Sequence, residues 1–97
     1  MHVISRKKLQ EFWNDYPDSE GALKVWFHEA KSVNWKNSAE LKAKYRMASI
    51  INAERVVFNI CGNKYRLVAR INYVSSTVFV RFVGTHREYD RIDVESV

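Results

Sequence analysis

The chain has 97 residues, 46% hydrophobic and 13% aromatic, which is enough for one domain over residues 1–97 built on a single core. Nothing approaches the roughly 18 uninterrupted apolar residues of a membrane span, and "MHVISRKKLQ" lacks the apolar segment of a secretory signal, so the sequence reads as cytoplasmic, with no membrane partner. Sixteen Lys and Arg against eleven Asp and Glu give a charge of +5 and favour anionic partners, while one cysteine and three scattered histidines rule out an internal disulfide and argue against a metal or other cofactor.

In chain order, "HVIS" reads as a short strand, and Ser5 as the N-cap of a helix from Arg6 to about Tyr16, because Leu9, Phe12, Trp13 and Tyr16 recur at helical spacing. Pro17 ends it. A second helix is predicted from Asp18 or Ser19 to about Val33, burying Leu23, Trp26, Phe27 and Ala30. Asn34 to Asn37 reads as a loop, followed by a short helical turn capped by Ser38, and Arg46 to Asn52 as an irregular connection. From Arg55 the period changes to two. "RVVFNI", "KYRLVARINY" and "TVFVRFVG" read as a three-stranded antiparallel meander, with Gly62 and Asn63 in the first turn and Ser75 and Ser76 in the second.

Those turns set a register in which Asn59 faces Arg66, Arg55 faces Arg70, and Arg70 faces Arg81. One face then carries Val56, Phe58, Ile60, Tyr65, Leu67, Ala69, Ile71, Val78, Val80 and Phe82, which the helices should cover. The other carries Arg55, Asn59, Lys64, Arg66, Arg70, Asn72 and Arg81 among Val57, Val68, Phe79 and Val83. Acids lie mostly between Glu11 and Glu40 and after Glu88, and the stretch from Arg55 to Arg81 contains none. Two readings of this face stand side by side. Either it is the wet side of an open sheet, or its arginines and exposed Phe79 form a platform for a phosphate backbone and its bases. Like charges at Arg70 and Arg81 would oppose each other, and an anion would relieve them.

Thr85 and Glu88 are spaced as a capping box, so a last helical turn should begin at "THRE". Capping leaves His86, Tyr89 and Asp90 unexplained. Histidine exchanges a proton near neutrality and suits the removal of a 2′-hydroxyl proton or protonation of a leaving 5′-oxygen, and Tyr89 shares its helix face. Trp13, Trp26, Phe27 and Tyr65 read as packing, His28 as solvent-facing, Cys61 as an incidental exposed thiol, and Trp35 as lining an RNA groove or meeting a partner.

The segments "VVFNICGNKYRLVARINY" and "VFVRFVGTHREYDRID" resemble the HigB-type toxins of the RelE superfamily, and the helical N-terminal part fits that family more loosely. The chain departs from the family pattern at Cys61, where a polar or basic residue is usual, and around Tyr45 and Arg46, where a proline is. The resemblance implies an α+β, RelE-like fold with helices packed on an antiparallel sheet. It implies metal-independent cleavage of mRNA during translation on the ribosome, and neutralisation by a HigA-like helix-turn-helix antitoxin. By position it carries roles onto Asn59, Lys64, Arg66, Arg81, His86 and Tyr89. The expected catalytic set is therefore His86, Tyr89, Arg66 and Arg81, with Arg55, Asn59, Lys64, Arg70 and Asp90 in RNA binding. The rival reading is a non-catalytic RNA- or ribosome-binding module that uses the same arginine face.

Overall fold

The computed structural model describes residues 1–97. Residues His2–Ile4 form β1, Arg6–Asp15 α1 and Glu20–Ser32 α2, with a 3-10 turn at Pro17–Ser19 between the helices. Pro17 stops α1 because its ring and missing N–H prevent continuation. α1 buries Leu9, Phe12 and Trp13, and α2 buries Leu23, Trp26 and Ala30, as their spacing predicts. A third helix, α3 (Ser38–Lys44), is capped by Asn37 rather than by Ser38: the Asn37 side-chain oxygen accepts from the Glu40 N–H at 3.0 Å. Trp35, expected in a groove or at a partner surface, is instead a core residue, edge-on to Tyr45 and stacked toward Phe58.

The segment expected to be irregular supplies a two-residue strand, β2 (Ser49–Ile50), on the edge of β3 (Arg55–Ile60). β4 (Tyr65–Asn72), β5 (Thr77–Thr85) and the terminal turn α4 (His86–Tyr89) complete the chain's elements. The sheet order is β1-β5-β4-β3-β2, antiparallel throughout except that β1 runs parallel to β5. The fold is thus α+β and consistent with the RelE-like architecture, its sheet mixed rather than wholly antiparallel. α1, α2 and α3 cover one face of that sheet and enclose a single core cluster.

The predicted pairings of Asn59 with Arg66 and Arg55 with Arg70 are present. The left-handed residues of that hairpin are Cys61 (φ 54°) and Gly62 (φ 66°), one position earlier than expected, which leaves the register unchanged. The next loop differs more. It runs from Tyr73 to Ser76, closed by Asn72, whose side-chain oxygen accepts from the N–H groups of Val74 (3.1 Å) and Ser75 (3.0 Å). The longer loop slides β5, so Arg70 faces Phe79 and not Arg81. Register then shifts once more: Ala69 pairs with Val80 but Val68 with Phe82, leaving Arg81 as the extra residue of a β-bulge. A bulge exchanges the faces of everything beyond it. Val83 therefore packs against the core, and Phe82, assigned to the core by simple alternation, lies on the opposite face beside Val68.

One polar cluster ties the helices to the β3–β4 hairpin. Asp18 accepts from Lys64 Nζ and, at 2.6 Å, from Tyr65 Oη, while its main-chain oxygen takes the Cys61 thiol at 3.3 Å. The Lys64 hydrogen bond, then that of Tyr65, hold the Asp18 carboxyl below its ordinary value. A carboxylate with a depressed folded pKa stabilises the fold above its unfolded value of about 3.9, and that contribution is lost as pH falls through the folded value. Asp18 is half exposed, so the contribution is modest. In thermal melts from neutral pH into acid, Asp18→Asn lowers the neutral midpoint and makes the acid decline shallower. The decline persists in part because Glu29, bonded to Tyr45 and Lys44, is also held low.

Candidate nucleic-acid interface and active site

The face of the meander turned away from the helices carries two rows across the strands, Arg55–Arg70–Phe79 and Asn59–Arg66–Gly84. Their proximity follows from the register alone. What each cation does there depends on its neighbours.

Around the second row, Arg66 is half-buried and its Nη1 donates to the main-chain oxygens of Asn63 (3.3 Å) and Tyr65 (3.4 Å), which holds the guanidinium near the hairpin end. Asn59 Nδ2 reaches the Met47 main-chain oxygen at 3.5 Å. Opposite Arg66, Gly84 is buried beneath the Phe82 ring: a Cβ there would lie 2.4 Å from the ring's Cζ, so only glycine admits this ring position. Tyr89 is tilted against that ring, with centroids 6.5 Å apart and planes at 50°. The Thr85–Glu88 capping box is formed in both directions, at 3.2 Å from Glu88 N–H to Thr85 Oγ1 and 2.9 Å from Thr85 N–H to Glu88 Oε1. It fixes the strand-to-helix turn that carries His86, which is exposed at the first position of α4. Arg66, Phe82, His86 and Tyr89 thus gather at one end of β4 and β5. Asp90 follows, exposed, with its N–H on the His86 main-chain oxygen at 3.0 Å.

The first row is arranged differently. Arg81 in the bulge is exposed, and its Nε donates to the Val97 main-chain oxygen at 3.4 Å. The same oxygen accepts from Arg55 Nε at 3.3 Å and Arg55 Nη2 at 3.1 Å. Two arginines from non-adjacent strands therefore converge on one acceptor. Arg70, between them in the sheet, donates to Glu54 Oε2 at 2.8 Å, so its charge is paired within the chain. The juxtaposition of Arg70 and Arg81 expected from alternation does not occur, and the repulsion it implied is absent.

Lys64 does not join this face. Alternation breaks inside the four-residue turn, and the side chain turns toward the helices to pair with Asp18. The valines also differ from expectation. Val57 and Val68 lie outside the helix-covered core yet are only 3% and 0% exposed. On the same face the chain beyond α4 brings the Val97 oxygen to Arg55 and Arg81. Sequence patterning missed Phe82 because a bulge leaves no mark in a two-residue period, and it missed Glu54 because that acid stands just before the basic stretch. A search for acids flanking β3 would have found Glu54.

Residues 19–92 match the family model for HigB toxins, the RelE-like toxic component of a toxin–antitoxin system. The chain is 32% identical over 94 residues to an mRNA interferase toxin HigB of Escherichia coli strain K12, covering 93% of this chain and 88% of that protein. An mRNA interferase HigB of Shigella flexneri matches to the same extent. An mRNA interferase HigB of Escherichia coli O6:H1 strain CFT073 is 27% identical over 94 residues, covering 95% of this chain and 91% of that protein. The matched span holds every candidate site residue and stops short of Asp93.

Proposed function

We propose, for a chain that belongs to the HigB family of RelE-like toxins of toxin–antitoxin systems, that it is an mRNA interferase whose chemistry sits at the Arg66 end of β4 and β5. Its substrate is mRNA, cut during translation on the ribosome, and its natural inhibitor is a HigA-like helix-turn-helix antitoxin. No helix is long and apolar enough to cross a membrane, and cleavage of translated message places the work in the cytoplasm. The observation that carries the reading is the grouping of a half-buried arginine, a face-exposed aromatic ring, a tyrosine and an exposed histidine around one strand exit.

In this mechanism Arg66 holds the scissile phosphate and offsets the charge gained at the pentavalent transition state. The RNA's own 2′-oxygen attacks phosphorus as its proton passes to a base, and the P–O5′ bond breaks as an acid protonates the departing oxygen. His86 takes one of these proton transfers, with Tyr89 as its partner. The products are a 2′,3′-cyclic phosphate and a 5′-hydroxyl. Phe82 offers a ring on which a neighbouring base stacks, an interaction worth about 1–3 kcal/mol per base. Arg81, Arg55 and Asn59 meet adjoining phosphates. Lys64 and Arg70, each paired with an acid, are left a smaller share.

Induced expression in a bacterial host, with growth followed and mRNA 5′ ends mapped, tests this. Arrest with new 5′-hydroxyl ends inside coding regions is expected. Ends bearing 5′-phosphate would remove the 2′-hydroxyl mechanism, and arrest without new ends would favour the non-catalytic binding module.

A further inference from the structure

The chain supplies its own occupant for the Arg55–Arg81 pair. Beyond α4 it makes a compact turn: the Asp93 main-chain oxygen accepts from the N–H groups of Ser96 (3.1 Å) and Val97 (2.9 Å). The Asp93 carboxylate accepts from Glu95 N–H at 3.1 Å and Ser96 Oγ at 2.9 Å. That turn delivers one oxygen to three guanidinium N–H groups, two from Arg55 and one from Arg81. Guanidinium forks from two strands turned toward one acceptor are placed to take a phosphate, which arginine binds through its planar fork. The Val97 oxygen stands where a phosphate oxygen would stand.

Accordingly, we propose that the Asp93–Val97 segment is a self-ligand that competes with the RNA backbone for Arg55 and Arg81, so that substrate binding requires it to lift off the sheet. This rests on the reading of the arginine face as the RNA surface, and adds that the surface is closed in the free protein. The three hydrogen bonds, at 3.1–3.4 Å and at most part-buried, are a weak latch. A phosphate offers several oxygens to the same two guanidinium forks where the segment offers one, so RNA displaces the segment, but at a cost in apparent affinity.

The test is the affinity of an uncleavable 2′-O-methyl RNA oligonucleotide, measured by fluorescence anisotropy at fixed salt, for the full chain and for one ending at Ile92. The shortened chain should bind about threefold to tenfold more tightly, the factor recovered when the competent state had been only about a third to a tenth populated. The gain should vanish in an Arg55→Ala, Arg81→Ala background. Asp93→Ala, which loosens the turn at full length, should recover part of it, whereas Glu95→Gln, with the same change of charge, should not. Equal or weaker binding by the shortened chain, or a gain that survives loss of both arginines, overturns the competition and leaves the RNA face standing. Absence of binding by either form overturns both. Thermal melts of the shortened chain and of Asp93→Ala separate loss of fold from loss of competition.

Discussion

His86→Ala is expected to slow message cleavage in a translating extract by about 10²–10⁴-fold, the usual contribution of a positioned acid–base group, while RNA affinity and the thermal midpoint stay where they were. The separation follows from what holds α4 in place. The turn is fixed by the Thr85–Glu88 capping box and by the Tyr89 ring against Phe82, none of which involves the imidazole. The imidazole is exposed at the first helical position, so its removal opens no cavity. A binding module without catalysis predicts the opposite separation, with full cellular effect in His86→Ala and loss only on charge reversal at Arg66 or Arg81. Tyr89→Phe is the companion variant, since it keeps the ring on Phe82 and removes only the hydroxyl. Rates that fall in both variants at constant RNA affinity place the proton transfers at this strand exit. An unchanged rate in His86→Ala removes the histidine from the chemistry.

Phe58→Ala is expected to cost about 3–5 kcal/mol, the range for truncating a buried phenylalanine, out of the roughly 5–15 kcal/mol that holds a small domain folded. Phe58 is 1% exposed and sits at the meeting of the helix layer with the sheet, with ring centroids of Tyr45, Trp26 and Trp35 at 5.1, 5.4 and 6.4 Å. Three large rings from α2 and the two segments flanking α3 cannot all collapse into the space left behind. Urea unfolding should show a lower midpoint with little change in slope. Val74→Ala, at a position 99% exposed, should change stability by less than about 0.5 kcal/mol. A shift of less than about 1 kcal/mol in Phe58→Ala would mean that these rings repack and do not form a fixed core.

The reach of the sequence ended at identifiable points. Helix spacing and strand alternation located α1, α2, α4 and the meander, and the turn at Gly62 located the β3–β4 register, because each rests on a period or a local backbone preference. The β4–β5 register escaped because Asn72 closes a longer loop with its own side chain, a choice that a Ser-Ser pair does not announce. The Arg81 bulge escaped because one extra residue leaves the composition of a strand unchanged while exchanging Phe82 for Val83 on its faces. The sequence groups His86, Tyr89, Arg66 and Arg81, but it does not show that Arg81 sits in a bulge and shares an acceptor with Arg55, or that Phe82 is the aromatic partner of Tyr89. Lys64 was misplaced because its partner, Asp18, is brought to it only by the tertiary fold. Trp35 was misjudged from its polar sequence neighbours, which say nothing of the ring's own surroundings.

The parallel pairing of β1 with β5 has a consequence for when this molecule comes into being. His2 leaves the ribosome early, yet its strand partner is Thr77, and Ile4 must wait for Phe79. Pairings this remote carry the full entropy of loop closure and form late. The segment bearing Arg81, Phe82, His86 and Tyr89 is the same one that completes the sheet. A nascent chain therefore has neither its finished sheet nor the candidate site until β5 and α4 have been made. For a protein proposed to attack messages under translation, that order of events spares the message that encodes it until those last paired elements have been made.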